Sequence, residues 1–204
     1  MKNEKLEMVH KIGALFFKYG IKSVSMDDIA RELGISKKTL YQNFKDKRDV
    51  VGQTLSQHND CGMKELIERS SNTANSIEEF LQLLLMAKKW IEEINPSFEY
   101  DLQKYYPDVY KEHSDKRIIN MTSFFNNNLN KGIQEGVYRN DIDVNIITKF
   151  HVTTMSSIHE GGLFTSAEIS NLDTYKKYFV VFIRGLASEK GLEILARKMN
   201  EYGF

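Results

Sequence analysis

The chain is poor in the residues that stiffen, staple or kink a fold. Its 204 residues hold one cysteine, Cys61, and two prolines, Pro96 and Pro107. A lone cysteine excludes an intramolecular disulfide and favours a reducing compartment. With so few prolines, long helices meet little obstruction. No apolar run approaches membrane-spanning length; Tyr178 to Ile183 is among the longest. The first residues are broken by Lys2, Glu4, Lys5, Glu7 and Lys11, too charged for a secretory leader. A cytoplasmic location is the resulting expectation. Alternation of period two is missing over any useful length, which argues against sheet. Absent too are HExxH, paired cysteines, a Gly-rich phosphate loop and a GxSxG elbow, so no metal site, cofactor or enzyme activity is expected. His159-Glu160 and His58-Asn59-Asp60-Cys61 gather polar groups, but neither spacing completes a known site.

Net charge is also missing: 28 Lys and Arg face 28 Asp and Glu. The balance is uneven along the chain. Residues 1–50 hold eleven basic and seven acidic residues, and the remainder seventeen against twenty-one. A basic head on an acidic body suits a polyanionic partner for the head alone.

Within that head, Ser25 to Lys47 reads as two short helices around a tight turn. Ser25 can cap the first, with Asp28 three residues on as the reciprocal acid. Met26, Ile29, Ala30 and Leu33 form one apolar stripe. Gly34 suits a left-handed stop, and Ser36 caps the next helix. There Leu40 and Phe44 face inward. Lys37, Lys38, Thr39, Tyr41, Gln42 and Asn43 remain outside, a set that a core helix would not tolerate. Asp46 can cap a third helix starting at Lys47. The expected architecture is all-α, with a small head at 1–50 whose helix-turn-helix (about 25–44) suits the DNA major groove, and a larger helical body at 51–204.

Ser25, Ile29-Ala30, Gly34 to Tyr41, Phe44 and Lys47 together resemble the N-terminal domain of the TetR (tetracycline-repressor) family. Lys38 departs from the small residue frequent there, and Asn43 from tyrosine or histidine. The resemblance implies an all-helical transcription regulator, a repressor by default, with an N-terminal three-helix DNA-binding domain and a larger helical domain that dimerises and binds an effector. The DNA-facing residues are then Ser25, Ser36, Lys37, Lys38, Thr39, Tyr41, Gln42, Asn43 and Lys47. Ser25, Tyr41 and Lys47 would hold phosphates. Lys37, Lys38, Thr39 and Gln42 would face base edges, and Asn43 could read adenine. Two such heads about one DNA turn (~34 Å) apart read a palindromic operator as a homodimer.

In the rest of the chain, apolar stripes predict helices at about 5–19, 47–67, 76–94 (capped by Ser76), 107 to Gly132 or Gly136, 143/145 to Gly161-Gly162, and 188–202. A short helix holds Phe98 and Leu102, and a further stripe runs from Tyr175 to Leu186. Val9, Ile12, Phe16 and Tyr19 share one face of the first. The dimer seam implied by the resemblance uses Ile147, Phe150, Thr154, Ile158, Tyr175, Phe179, Phe182, Ile183 and Leu186; burial within one subunit is the other reading of those stripes. A pocket for a small apolar or aromatic effector could draw on Trp90, Tyr106, Met121, Phe125, His151 and Met155. The competing readings are a helical adaptor that docks protein and a helical enzyme.

Overall fold

The computed structural model describes residues 2–160 and 163–203, and among them the architecture is all-α. Eleven helices follow in order among these described residues: α1 Lys2–Tyr19, α2 Met26–Leu33, α3 Lys37–Asn43, α4 Lys47–Ser71, α5 Ser76–Glu93, α6 Ser97–Tyr105, α7 Pro107–Gln134, α8 Val144–Glu160, α9 Ser166–Ile169, α10 Leu172–Leu186 and α11 Glu189–Glu201. They form two compact units. One takes Met1–Met63 with Glu93–Arg117, the other Lys64–Glu92 with Ile118–Phe204.

The core of the first unit is built from α1 to α4 with α6. Ile12, Phe16, Ile21, Ile29, Leu40, Phe44 and Val50 are fully buried. The expected α1 face holds for Val9, Ile12 and Phe16 but not for Tyr19, which is exposed. The buried row continues from Phe16 to Gly20 instead, four residues on, and Gly20 turns the chain at φ 81°. A side chain at Gly20 would meet Ser97 Oγ at 2.5 Å, so glycine serves both the turn and the approach of α6.

Helix α6 and the residue two before it are tied to α1 and the α1–α2 turn by hydrogen bonds. Asn95 N–H donates to Phe17 O at 2.7 Å. Lys22 N–H, in the α1–α2 turn, donates to Asp101 Oδ2 at 2.8 Å. Asp101 is buried. Arg48 at the start of α4 pairs with Asp108 at the start of α7, its Nε 2.8 Å from Oδ2.

In the second unit, Ile77, Phe80, Leu81 and Leu84 bury one side of α5. The residue expected to cap this helix, Ser76, lies inside it. Asn75 is the cap, its Oδ1 accepting Glu78 N–H at 3.0 Å. The Ser76 backbone instead ties α5 to its neighbours. Its carbonyl accepts from Asn128 Nδ2 at 2.8 Å and from the Tyr138 hydroxyl at 3.3 Å, while its N–H donates to Glu135 Oε2. Burial pushes the Tyr138 phenol far above its usual range, so it stays a neutral donor. Ring packing of Phe80 on Phe125 and Phe179, at 5.1 Å each, fills the interior beside it. Asp143 starts α8 by accepting Ile146 N–H at 3.1 Å, as expected. The short α9 has no counterpart among the expected helices, and the expected stop at Gly161-Gly162 lies outside the described residues.

At Gly132 the α7 backbone passes under the Tyr138 ring. A methyl group there would run into that ring and stand 3.1 Å from Ser76 Cβ. Gly132→Ala is therefore expected to lower unfolding free energy by about 1–3 kcal/mol despite the helix-favouring change. Chemical denaturation followed by circular dichroism measures this; an unchanged or higher midpoint would show that the ring has room to move.

Candidate nucleic-acid interface

Helix α2 starts as its sequence dictates. Ser25 N–H donates to Asp28 Oδ2 at 2.9 Å, and Asp28 N–H donates back to Ser25 Oγ at 3.2 Å. The Ser25 hydroxyl also donates to the same carboxylate at 2.6 Å. These bonds hold the Asp28 carboxyl below its usual range, so it stays charged at the positive end of the helix. Gly34 ends α2 at φ 66°, with its N–H reaching Arg31 O and Ile35 N–H reaching Ala30 O. This left-handed stop swings the chain into α3 over two residues.

Ser36 then caps α3. Its Oγ accepts Thr39 N–H at 3.1 Å and lies 2.8 Å from the Thr39 hydroxyl. The helix is only seven residues long and is pinned from below by Leu40 and Phe44, which are 0 % and 1 % exposed. Those two positions rotate the other side chains outward. Ser25, Ser36, Lys37, Lys38, Tyr41 and Gln42 are exposed, while Thr39, Asn43 and Lys47 are half-buried. The result is an open surface of two lysines, a tyrosine and an amide, with hydroxyls at its edge. Phosphate and base-edge contacts require those groups in an accessible state.

Several of these groups have partners in the free protein. Lys37 Nζ pairs with Asp27 Oδ1 at 2.6 Å, and that bond holds the ammonium above its ordinary range. A base contact by Lys37 would require this pair to open. Asn43 Nδ2 donates to Thr39 O at 2.9 Å, along its own helix. Reading an adenine would require that bond to open. Lys47 is lowered by burial, with the Asp101 and Asp28 carboxylates pulling the other way. Its stem is held against the domain, which limits the reach of its charge. Sequence reasoning missed Asp27, because an acid in a first helical turn is ordinary dipole chemistry. It missed Asp101 because nothing local ties residue 101 to residue 22.

The remaining sequence-derived residues fall into distinct settings. Among the seam candidates, Ile158, Tyr175, Phe179, Ile183 and Leu186 are buried within this one chain. Their side chains pack within the single chain. Ile147, Thr154 and Phe182 are half-buried, and Phe150 is 66 % exposed. Val181 on α10, absent from the expected seam, is 72 % exposed. Of the pocket candidates, Phe125 and His151 are buried with ring centroids 3.9 Å apart. His151 Nδ1 lies 2.8 Å from the Tyr178 hydroxyl, and burial drives the imidazole down to about 3, so it is neutral. Trp90, Met121 and Met155 are half-buried in the same unit, whereas the half-buried Tyr106 belongs to the first unit.

Known proteins match this arrangement. Residues 13–54 fit the family model of the bacterial regulatory proteins, tetR family. The HTH-type transcriptional repressor KstR2 of Mycobacterium tuberculosis is 24% identical over 190 residues, covering 90% of this chain and 92% of that protein. An HTH-type transcriptional regulator of Staphylococcus aureus is 50% identical over 44 residues, which is 22% of each chain. The fold matches the crystal structure of a TetR-family transcriptional regulator from Agrobacterium tumefaciens with a TM-score of 0.68, over 91% of this chain and 99% of that one at 14% identity. The fold match extends well beyond residues 13–54, over 91% of the chain.

Leu40 carries the position of α3. Leu40→Ala is expected to cost about 2–5 kcal/mol and to abolish duplex binding, although the side chain touches no DNA. Urea titration and fluorescence anisotropy with a duplex check the two effects; full duplex affinity in this variant would mean that α3 holds its place without the leucine.

Proposed function

We propose that the chain, whose residues 13–54 match the family model of the bacterial regulatory proteins, tetR family, is a ligand-responsive transcriptional regulator acting on a palindromic operator as a homodimer. The observation that carries this is the solvent-open face of α3 above a fully buried Leu40 and Phe44. A protein-docking helix would bury an apolar stripe; this one presents Lys37, Lys38, Tyr41 and Gln42. Repression is supported by KstR2, a repressor by name, along nearly the whole chain.

In this reading the contacts divide by chemistry. Ser25, Tyr41 and Lys47 hold phosphates, and Ser36 presents the α3 N-terminus beside them. Lys37 and Lys38 suit guanine O6 and N7, Gln42 suits adenine, and the Thr39 methyl suits thymine. Asn43 stands at the end of the reading face. One head gives little affinity, so two are required. The exposed Phe150 on α8 and Val181 on α10 support a seam on those helices, with Ile147, Thr154 and Phe182 at its edge. The effector is small and works by its differential affinity for two arrangements of the heads.

Two outcomes test this. Lys47→Ala is expected to weaken binding to all duplexes alike and to reduce the slope of log affinity against log salt by about 1, whereas Gln42→Ala relaxes preference at one base position. Binding-site selection over a salt series reads both; identical behaviour of the two variants would remove the division of roles. Phe150→Glu is expected to convert the dimer to monomer in sedimentation velocity and to lower operator affinity at least tenfold (about 1.4 kcal/mol). A dimeric Phe150→Glu protein would place the seam elsewhere.

A further inference from the structure

The first unit has a second polar interior that the DNA-facing surface does not use. Helix α4 brings His58 to it, α6 brings Glu99, and α7 brings His113 and Arg117. Three atoms in this set are buried and make no hydrogen bond: Glu99 Oε1, His113 Nδ1 and Arg117 Nη2. Orphaned polar atoms are uncommon in folded proteins, and three in one neighbourhood call for an explanation. The Arg117 charge acts on both Glu99 and His113, and His58 acts on His113 as well. The groups therefore share a neighbourhood, yet Glu99 Oε1 and Arg117 Nη2 do not bond each other. Phe17 closes an apolar side, with its ring 4.8 Å from His58 and 5.0 Å from Phe98.

The surroundings discourage added charge. Burial raises the Glu99 carboxyl, with Arg117 opposing. Burial also drives His113 down to about 3. Lys116, the other cation near His113, already reaches Ser56 Oγ at 3.2 Å and Glu112 at 3.6 Å. An anion entering here meets Glu99 and a cation meets Arg117, each at the cost of burying an unbalanced charge. Among the described residues, no three His, Cys, Asp or Glu side chains group as metal ligands.

We propose that this cluster is an effector subsite for an uncharged molecule with an apolar skeleton, a hydroxyl that donates to Glu99, and a carbonyl that accepts from Arg117. The inference rests on the ligand-responsive reading above and narrows the class of ligand. It matches the unmet inventory: one carboxylate oxygen needs a donor, one guanidinium N–H needs an acceptor, and the His113 nitrogen serves either way by tautomer. The site also has a route to the DNA-binding helices. Glu99 stands two residues before Asp101, whose carboxylate holds the Lys22 N–H in the α1–α2 turn. A ligand that moves α6 moves that turn, and with it the start of α2.

Three probes share a hydroxyphenyl skeleton and differ in the far group: para-hydroxybenzylacetone carries a ketone, phloretate a carboxylate and tyramine an ammonium. Each is titrated into the full-length protein by calorimetry and thermal shift, and then against a duplex that the protein has selected from a random pool. The expected result is that only the ketone raises the melting temperature with dose and weakens duplex binding. Glu99→Leu and Arg117→Met should each reduce ketone affinity about tenfold or more, the effect of leaving a buried partner unmet, with duplex affinity retained. Glu99→Gln keeps an acceptor of the same size and should keep ketone binding. If Glu99→Leu does not fold, Arg117→Met and Glu99→Gln decide the matter. Preference for phloretate or tyramine, binding of none of the three, or equal ketone affinity in wild type and Arg117→Met overturns the proposal. Duplex binding by the wild type without probes is read separately. Its absence would sink the regulator reading, whereas its presence with no discrimination among the probes sinks only this inference.

Discussion

A helix of seven residues does not stand alone in water; nucleation costs more than so few hydrogen bonds return. Helix α3 exists because Leu40 and Phe44 are driven into the core of the first unit, with Ser36 holding its start and Gly34 setting its entry angle. Everything proposed for DNA follows from that burial. Once two of its residues point inward, helical geometry forces Lys37, Lys38, Tyr41 and Gln42 outward. The recognition surface is thus a consequence of packing beneath it, and its chemistry is free to vary so long as the two anchors stay.

The same unit shows how an event away from the DNA can reach this surface. Asp101, Asn95 and Ser97 bring α6 against the α1–α2 turn through a buried carboxylate, backbone bonds and a glycine without a side chain. Such contacts are short and directional, so a displaced α6 cannot leave the turn unaffected without breaking them. Next to that latch sit the orphaned atoms of Glu99 and Arg117. Proximity of an unsatisfied polar cluster to a mechanical joint is what a ligand-controlled regulator needs.

Much of the head was legible in the sequence because its signals are local. The Ser25–Asp28 capping box, the Gly34 stop, the Ser36 cap and the Asp46 cap each depend on residues within four positions, and each forms. Errors arose where a local rule met tertiary competition. Ser76 has good cap chemistry, but its carbonyl and N–H are engaged by Asn128, Tyr138 and Glu135, and Asn75 caps instead. Tyr19 has the right spacing for the buried face of α1, but the chain turns at Gly20 and leaves the ring exposed. Stripes on α8 and α10 announced burial without saying against what. Ile158, Tyr175, Phe179, Ile183 and Leu186 are used by the monomer, and Phe150 and Val181 are left outside.

By itself the sequence determined the helical class, the caps and the turn of the two short helices of the head, and the outward placement of Lys37, Lys38, Tyr41 and Gln42. Periodicity, caps and turn glycines act over a few residues, and a short stretch of chain contains all their partners. The tertiary structure alone decided that Asp27 holds Lys37, that Asp101 anchors residue 22, and that His58, Glu99, His113 and Arg117 share one neighbourhood. Asp27 and Lys37 lie ten positions and a turn apart, Lys22 and Asp101 lie 79 apart, and the last set comes from three helices. Only the packing of whole helices sets such distances, because apolar burial has no direction and no sequence range.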